Sequence, residues 1–201
     1  MARQRIAAAT NGAAIAARLG KNGAKVALVS RKLDALERFA AELAAFGIET
    51  MTVAANLGRP DDVRGIVPRV VEQWGGVDIL INNAATNPVF GPLTDLSEDG
   101  WDKILDTNLK GPFLLSQAAA KDMLTRGKGA IVNIASTGGL EPSPMLGAYC
   151  VSKAAVIMLT KSDLVDDVRA SVASLEAVAA GVPVMLASGI SGDGVDAVRD
   201  L

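Results

Sequence analysis

Short runs of β-branched and aliphatic residues alternate along the chain with longer stretches of helical periodicity, and this alternation constrains the fold more than any other feature. Strand candidates are Ile6 to Ala9, Lys25 to Val29, Glu49 to Val53, Val77 to Ile81, Ala130 to Ala135 and Pro183 to Ala187. Helical patterns of about 12 to 20 residues lie between them. Leu33 to Phe46, for example, puts Leu36, Phe39, Ala40 and Leu43 on one stripe. Strict alternation implies parallel strands joined by right-handed crossovers, the doubly wound α/β architecture with a helical layer on each face of the sheet. Such sheets bind ligands beyond the carboxyl ends of their strands, so the residues that follow each strand carry the functional information.

Composition removes several chemistries. The 201 residues include no histidine, which excludes Ser-His-Asp and Cys-His catalysis and histidine zinc sites. A single cysteine, Cys150, excludes an internal disulfide or a cysteine metal cluster, so no metal site is expected. The formal charge of −2 gives no clustered basic surface for nucleic acid. No apolar run approaches the ~20 residues of a membrane helix, and Met1-Ala2-Arg3-Gln4-Arg5 leads into too short an apolar stretch for a secretory signal. The expectation is a soluble cytoplasmic protein with one domain spanning 1–201, since no linker, repeat or charge block divides it.

The strand ends are polar or glycine-bearing. Thr10-Asn11-Gly12 leads from the first strand into a helix at Ala13 to Leu19, Ser30-Arg31-Lys32 follows the second, and the third ends in Ala54-Ala55-Asn56. The fourth runs into Asn82-Asn83-Ala84-Ala85, and the fifth delivers Ser136. Thirteen residues after Ser136 stands Tyr149, the sole tyrosine, with Lys153 four residues further on. On a helix these two share a face. An ammonium beside a phenol stabilises the phenolate and lowers a pKa normally near 10, producing an acid suited to protonating a carbonyl oxygen.

In this order the segments resemble the short-chain dehydrogenase/reductase family over about residues 1–155. Asn82-Asn83-Ala84-Ala85 is similar to its Asn-Asn-Ala-Gly strand end, Asn108 to its helix asparagine, Ser136 to its serine, and Tyr149-Cys150-Val151-Ser152-Lys153 to its active-site segment. The segments Thr86 to Leu93 and Trp101 to Leu105 resemble the branch that holds carbonyl reductases and retinol dehydrogenases. The resemblance implies a Rossmann-like three-layer αβα fold and hydride transfer between a nicotinamide and a small carbonyl or alcohol. It assigns Tyr149 as general acid in reduction and base in oxidation, and Ser136 to the substrate oxygen. Lys153 would tune the tyrosine and hold the nicotinamide ribose, and Asn108 would position a water in the proton relay. Cofactor contacts fall to Thr10, Gly12, Ser30, Arg31, Asn56, Asn83, Ala84, Tyr149 and Lys153. Arg31 stands where an adenosine 2′-phosphate would lie, with Ser30 and Lys32 beside it, which favours NADPH over NADH. A homodimer or tetramer is also implied.

Two departures stand out. The family's Thr-Gly-x-x-x-Gly-x-Gly loop is reduced to Thr10-Asn11-Gly12, about five residues short, which weakens the expected diphosphate cradle. From about Val156 onward, residues 156–201 resemble the end of a ribosome-associated small GTPase domain: Thr160-Lys161-Ser162-Asp163 is similar to a guanine-reading motif and Ala187 to Gly194 to the Ser-Ala-like loop. No phosphate-binding Gly-x-x-x-x-Gly-Lys-Ser/Thr loop accompanies them. The chain therefore reads as a chimera-like reductase core with another family's tail. The alternatives are a catalytically inactive recombined α/β scaffold and a guanine-nucleotide binding module. Over Ala155 to Lys161 the reductase template calls for helix and the GTPase template for strand; helix is the expectation, ending near Ser162-Asp163. A further helix through Ala180, the strand Pro183 to Ala187 and a closing helix Gly194 to Leu201 would follow.

Overall fold

The computed structural model describes residues 11–160. The expected strands Ile6 to Ala9 and Pro183 to Ala187, residue Thr10, the helices after Asp163 and the guanine-reading segment beyond Thr160 lie outside the described residues. The chain divides into two compact units, the first ending at Asn56 and the second beginning at Leu57.

In the first unit, α1 (Asn11–Lys21), β1 (Val26–Ser30), α2 (Leu33–Ala44) and β2 (Thr50–Ala54) follow one another. β1 and β2 pair in parallel, from Val26 opposite Thr50 to Ser30 opposite Ala54. The predicted stripe of α2 is the buried one: Leu36 and Leu43 join Ala16, Ala17, Leu28 and Ile48 in the core, with Phe39 and Ala40 packed against it. α1 meets this core through small residues, and a Cβ on Gly20 would overlap the Ile48 side chain. α2 stops two residues before the expected Phe46. Gly47 adopts φ 72° there, and Gly47 and Ile48 donate back to the carbonyls of Ala44 and Leu43, the left-handed glycine stop of a helix. α1 begins earlier than expected: Asn11 and Gly12 are already helical rather than part of a turn.

The second unit contains α3 (Pro60–Arg64), α4 (Ile66–Trp74), β3 (Ile79–Asn82), α5 (Glu98–Leu105), α6 (Gly111–Arg126), β4 (Ala130–Asn133) and α7 (Gly147–Thr160). β3 and β4 are parallel, from Ile79 opposite Ala130 to Asn82 opposite Asn133. α5 is capped by Ser97, whose Oγ accepts from the Gly100 N–H at 3.1 Å. Between α5 and α6 the helix continues through a wide π turn at Asp106–Lys110. Pro112 explains the widening. It has no N–H for the Asn108 carbonyl four residues back, and its ring would collide with that carbonyl in a regular α-helix. α7 runs unbroken to Thr160, so the contested stretch after Ala155 is helical as far as it is described, with Val156 buried. Among the described residues no helix is long and apolar enough to cross a membrane, and no group of His, Cys, Asp and Glu could hold a metal ion.

An ionic cluster ties the end of α6 to the entrance of β3. Arg126 donates to Asp122 Oδ2 through Nε at 3.0 Å and Nη2 at 2.8 Å, to Asp78 Oδ1 at 2.6 Å, and to the Val77 carbonyl. Asp122 also accepts from the Val77 N–H at 2.9 Å. The guanidinium occupies the space a side chain on residue 76 would need, because a Cβ there would stand 2.5 Å from Arg126 Nε. Hydrogen bonding from Arg126 holds both Asp78 and Asp122 below the ordinary carboxylate range, and the same hydrogen bonds raise the arginine in turn. A carboxylate whose pKa is lower in the folded state stabilises the fold above its unfolded value, near 3.9, and this contribution is lost as pH falls through the folded value. Arg126→Ala is therefore expected to cost about 2 kcal/mol at neutral pH, between the surface and the fully buried cases. The deficit relative to wild type should shrink toward pH 2 in thermal melts; a constant deficit across the acid limb would disprove the linkage.

Candidate active site

Four elements of the second unit deliver the polar residues predicted after its strands. β3 ends at Asn82, and Asn83 and Ala84 follow it half-buried. β4 ends at Asn133 and leads through Ile134 and Ala135 to Ser136, which is extended (φ −158°, ψ 155°) and caps a 3-10 turn at Thr137–Gly139. Ser136 Oγ accepts from the Gly138 N–H at 3.2 Å. α7 carries Tyr149 half-buried and Lys153 buried on the expected common face. A methyl group on Gly138 would stand 3.3 Å from Cys150 Sγ, 3.6 Å from Ser136 Oγ and 3.8 Å from the Tyr149 ring, so the serine oxygen and the edge of the tyrosine ring both border Gly138.

Lys153 Nζ donates to the Ile134 carbonyl at 2.7 Å. Among the described residues this is its one hydrogen bond. Burial pushes the lysine below its ordinary value. An ammonium has three donors, so two remain for oxygens that the described residues do not supply. That donor set fits a sugar diol, the part of a nicotinamide cofactor that the resemblance assigned to this lysine.

Asn108, 1% exposed, is spent on structure rather than on a diffusible group. Its Oδ1 accepts from the Thr86 N–H at 2.7 Å, and its Nδ2 donates to the Thr86 carbonyl at 2.9 Å and to Ser152 Oγ at 3.0 Å. Ser152 Oγ in turn donates to the Tyr149 carbonyl at 2.7 Å. The amide thus clamps the loop after β3 and, through Ser152, the turn of α7 that bears the tyrosine.

A second polar seam was not anticipated. Asn82 Nδ2 donates to Ser116 Oγ at 3.0 Å and to Asn133 Oδ1 at 2.8 Å, and Asn133 Nδ2 donates to Thr160 Oγ1 at 3.0 Å. Asn82 Oδ1 is the one buried side-chain polar atom without a partner among the described residues. The seam joins α6, β3, β4 and α7 just before Ile134. Its sequence signal was the asparagine ending each strand, which becomes meaningful only once the register sets Asn82 beside Asn133.

Of the residues predicted to contact cofactor in the first unit, Ser30, Arg31 and Asn56 lie at or just past its described strand ends, and Gly12 lies in α1. Gly12 is half-buried in α1; Ser30 ends β1, its Oγ accepting from the Lys32 N–H at 3.3 Å; Arg31 is exposed; and Asn56 follows β2, half-buried.

Comparison with known proteins agrees with this arrangement. A family model described as short chain dehydrogenase matches residues 7–183 and so extends past the boundary near residue 155 expected from the sequence. Dehydrogenase/reductase SDR family member 4 of Bos taurus is 44% identical over 151 residues, covering 75% of this chain and 54% of that protein. The chain spans about half the length of the curated relatives it matches. The crystal structure of NAD+-bound xylitol dehydrogenase superposes with a TM-score of 0.72 at 35% identity, covering 75% of this chain and 58% of the other. A metagenomic short-chain oxidoreductase in complex with NADP gives 0.72 at 36% identity, covering 75% and 68%. The fold is the Rossmann-like α/β fold expected from the strand–helix alternation.

The site makes two stability predictions. Asn108→Ala strands both backbone groups of Thr86 and should cost about 3 kcal/mol, read as a lowered denaturation midpoint; an unchanged midpoint would show that the clamp is idle. Lys153 has its pKa lowered in the folded state, so its burial penalty is fully present below that value and is relieved as pH rises toward the unfolded value near 10.4. Lys153→Met should therefore flatten the alkaline rise in stability below the unfolded lysine value, and an identical slope in both proteins would contradict the assignment.

Proposed function

Because this chain belongs to the short chain dehydrogenase family, we propose that it is an NADP(H)-dependent oxidoreductase that reduces a small carbonyl or oxidises the corresponding alcohol. The observation that carries the reading is that Ser136 Oγ and the Tyr149 ring both border Gly138, with the buried Lys153 one helical turn beyond the tyrosine. When bound, the nicotinamide supplies or accepts the hydride equivalent. The protein's own residues handle the oxygen and the proton. Ser136 Oγ–H donates to the substrate oxygen, and Tyr149 gives its hydroxyl proton to that oxygen in reduction and takes it back in oxidation. Lys153 holds the ribose hydroxyls with the donors Ile134 leaves free. Asn108 acts by position: its amide is saturated, so the relay water falls to its backbone carbonyl, from which Pro112 withholds the usual helical donor.

The preference for NADPH over NADH rests on the exposed Arg31 beside Ser30 and Lys32. Of the two solved neighbours, one is titled as bound to NAD+ and the other to NADP, so the arginine supports the preference from within this chain alone. Asn83, Ala84, Asn56, Gly12 and Thr10 complete the proposed cofactor contacts. A single domain over 1–201, a GTPase-like tail from residue 156, a cytoplasmic location, a homodimer or tetramer, and a small-molecule partner rather than nucleic acid or membrane belong to the same proposal.

One experiment separates it from an inactive scaffold and from a guanine-nucleotide module. NADPH at 100 times its dissociation constant should raise stability by about 2.7 kcal/mol, while NADH gives less and GDP nothing. Tyr149→Phe should keep the NADPH shift and lose carbonyl reduction. A melt unmoved by NADPH leaves the scaffold, and one moved by GDP alone leaves the nucleotide module.

A further inference from the structure

Gly139 ends the 3-10 turn that Ser136 begins, and its backbone lies directly against α7. A Cβ built on it would stand 2.8 Å from the Lys153 carbonyl carbon and 2.9 Å from that carbonyl oxygen, as well as 2.9 Å from Ile157 Cδ1. The first two are helix backbone, which does not yield as a side-chain tip does. Its φ lies outside the left-handed region, so clearance rather than backbone conformation demands the glycine. Gly138 differs in that the nearest atom to its virtual Cβ is the Cys150 sulfur. The turn itself is tightly tied to the serine: Gly139 N–H donates to the Ser136 carbonyl at 2.9 Å, and Gly138 N–H to its Oγ.

We propose that Gly139 is a positioning residue: its missing side chain lets the turn seat on the α7 backbone at Lys153 and thereby sets the spacing between Ser136 and Tyr149. This rests on the reading of Ser136 and Tyr149 as the reacting pair. Restoring an ordinary contact of roughly 3.5–4.0 Å would displace the turn by about 1 Å, a misplacement that in a reacting pair costs on the order of a hundredfold in rate.

Tyr149 is the sole tyrosine, so tyrosine labelled with carbon-13 at Cζ gives one resonance that reports this spacing without any substrate. Ser136→Ala should move that resonance in the wild-type background, Gly139→Ala should move it as well, and adding Ser136→Ala to Gly139→Ala should move it much less. Gly65→Ala, whose added methyl makes only an ordinary 3.6 Å contact with the Asp62 carbonyl, should leave it in place. A Gly139→Ala spectrum that superposes on wild type overturns the proposal, as does a Ser136→Ala shift of equal size in both backgrounds. Rescue by Ile157→Ala in the Gly139→Ala background overturns the backbone account. Should Gly139→Ala fail to fold, Ile157→Phe crowds the same turn from its half-buried side chain; it should move the resonance in the same direction by less, and no movement overturns the proposal. If NADPH-dependent reduction is found, Gly139→Ala should lower kcat by roughly ten- to a hundredfold with the NADPH thermal shift retained. If none is found, the labelled-tyrosine comparison still decides the role of Gly139, so failure of the proposed reaction and failure of the positioning role remain distinguishable.

Discussion

The buried amide of Asn108 is the junction on which the second unit's site depends. Three hydrogen bonds leave it, two to the backbone of Thr86 and one to Ser152. Each is worth about 1 kcal/mol net, but the energetic asymmetry matters more, because a shorter side chain would leave the half-buried backbone groups of Thr86 unpaired. The amide reaches this position because the helix widens at Asp106–Lys110, and Pro112 makes that widening necessary. A proline that looks like a boundary residue in the sequence is therefore part of what aims Asn108 inward.

Around that junction the architecture works through close backbone approach. The ladder between β3 and β4 continues one residue past the strands, with the Ile134 N–H donating to the Asn82 carbonyl at 2.9 Å, and the Ile134 carbonyl then receives Lys153. Two residues later comes Ser136, whose turn is pressed onto α7 at Gly139. Serine, lysine and tyrosine thus take their places from a single strand end and a single helix. Burial of the lysine has an energetic cost at neutral pH, because the low-dielectric surroundings disfavour the charged ammonium.

Much of this was legible in the sequence. The strand–helix alternation located all four described strands to within two residues, and helical spacing put Tyr149 and Lys153 on one face. Other features depended on partners distant in the chain. Nothing local to Asn133 identifies Asn82 or Thr160 as its neighbours, and Gly139 looks like any loop glycine until a Cβ built on it meets the Lys153 carbonyl. The bond from the Lys153 ammonium to the Ile134 carbonyl likewise has no local signal in the sequence, since the two residues are 19 apart.

The amino-acid sequence by itself determined the order of elements, the polar strand ends and the identity of the chemical groups, since periodicity and residue type are local properties. Tertiary structure alone decided which of those groups are saturated and which remain available. Hydrogen-bond capacity is allotted by contacts between residues far apart in the chain: Asn108 and Asn133 are committed to partners, while Lys153 keeps donors to spare. The clearance at Gly139 was likewise settled only when a turn and a helix came so close that a Cβ on Gly139 would stand 2.8 Å from the Lys153 carbonyl carbon.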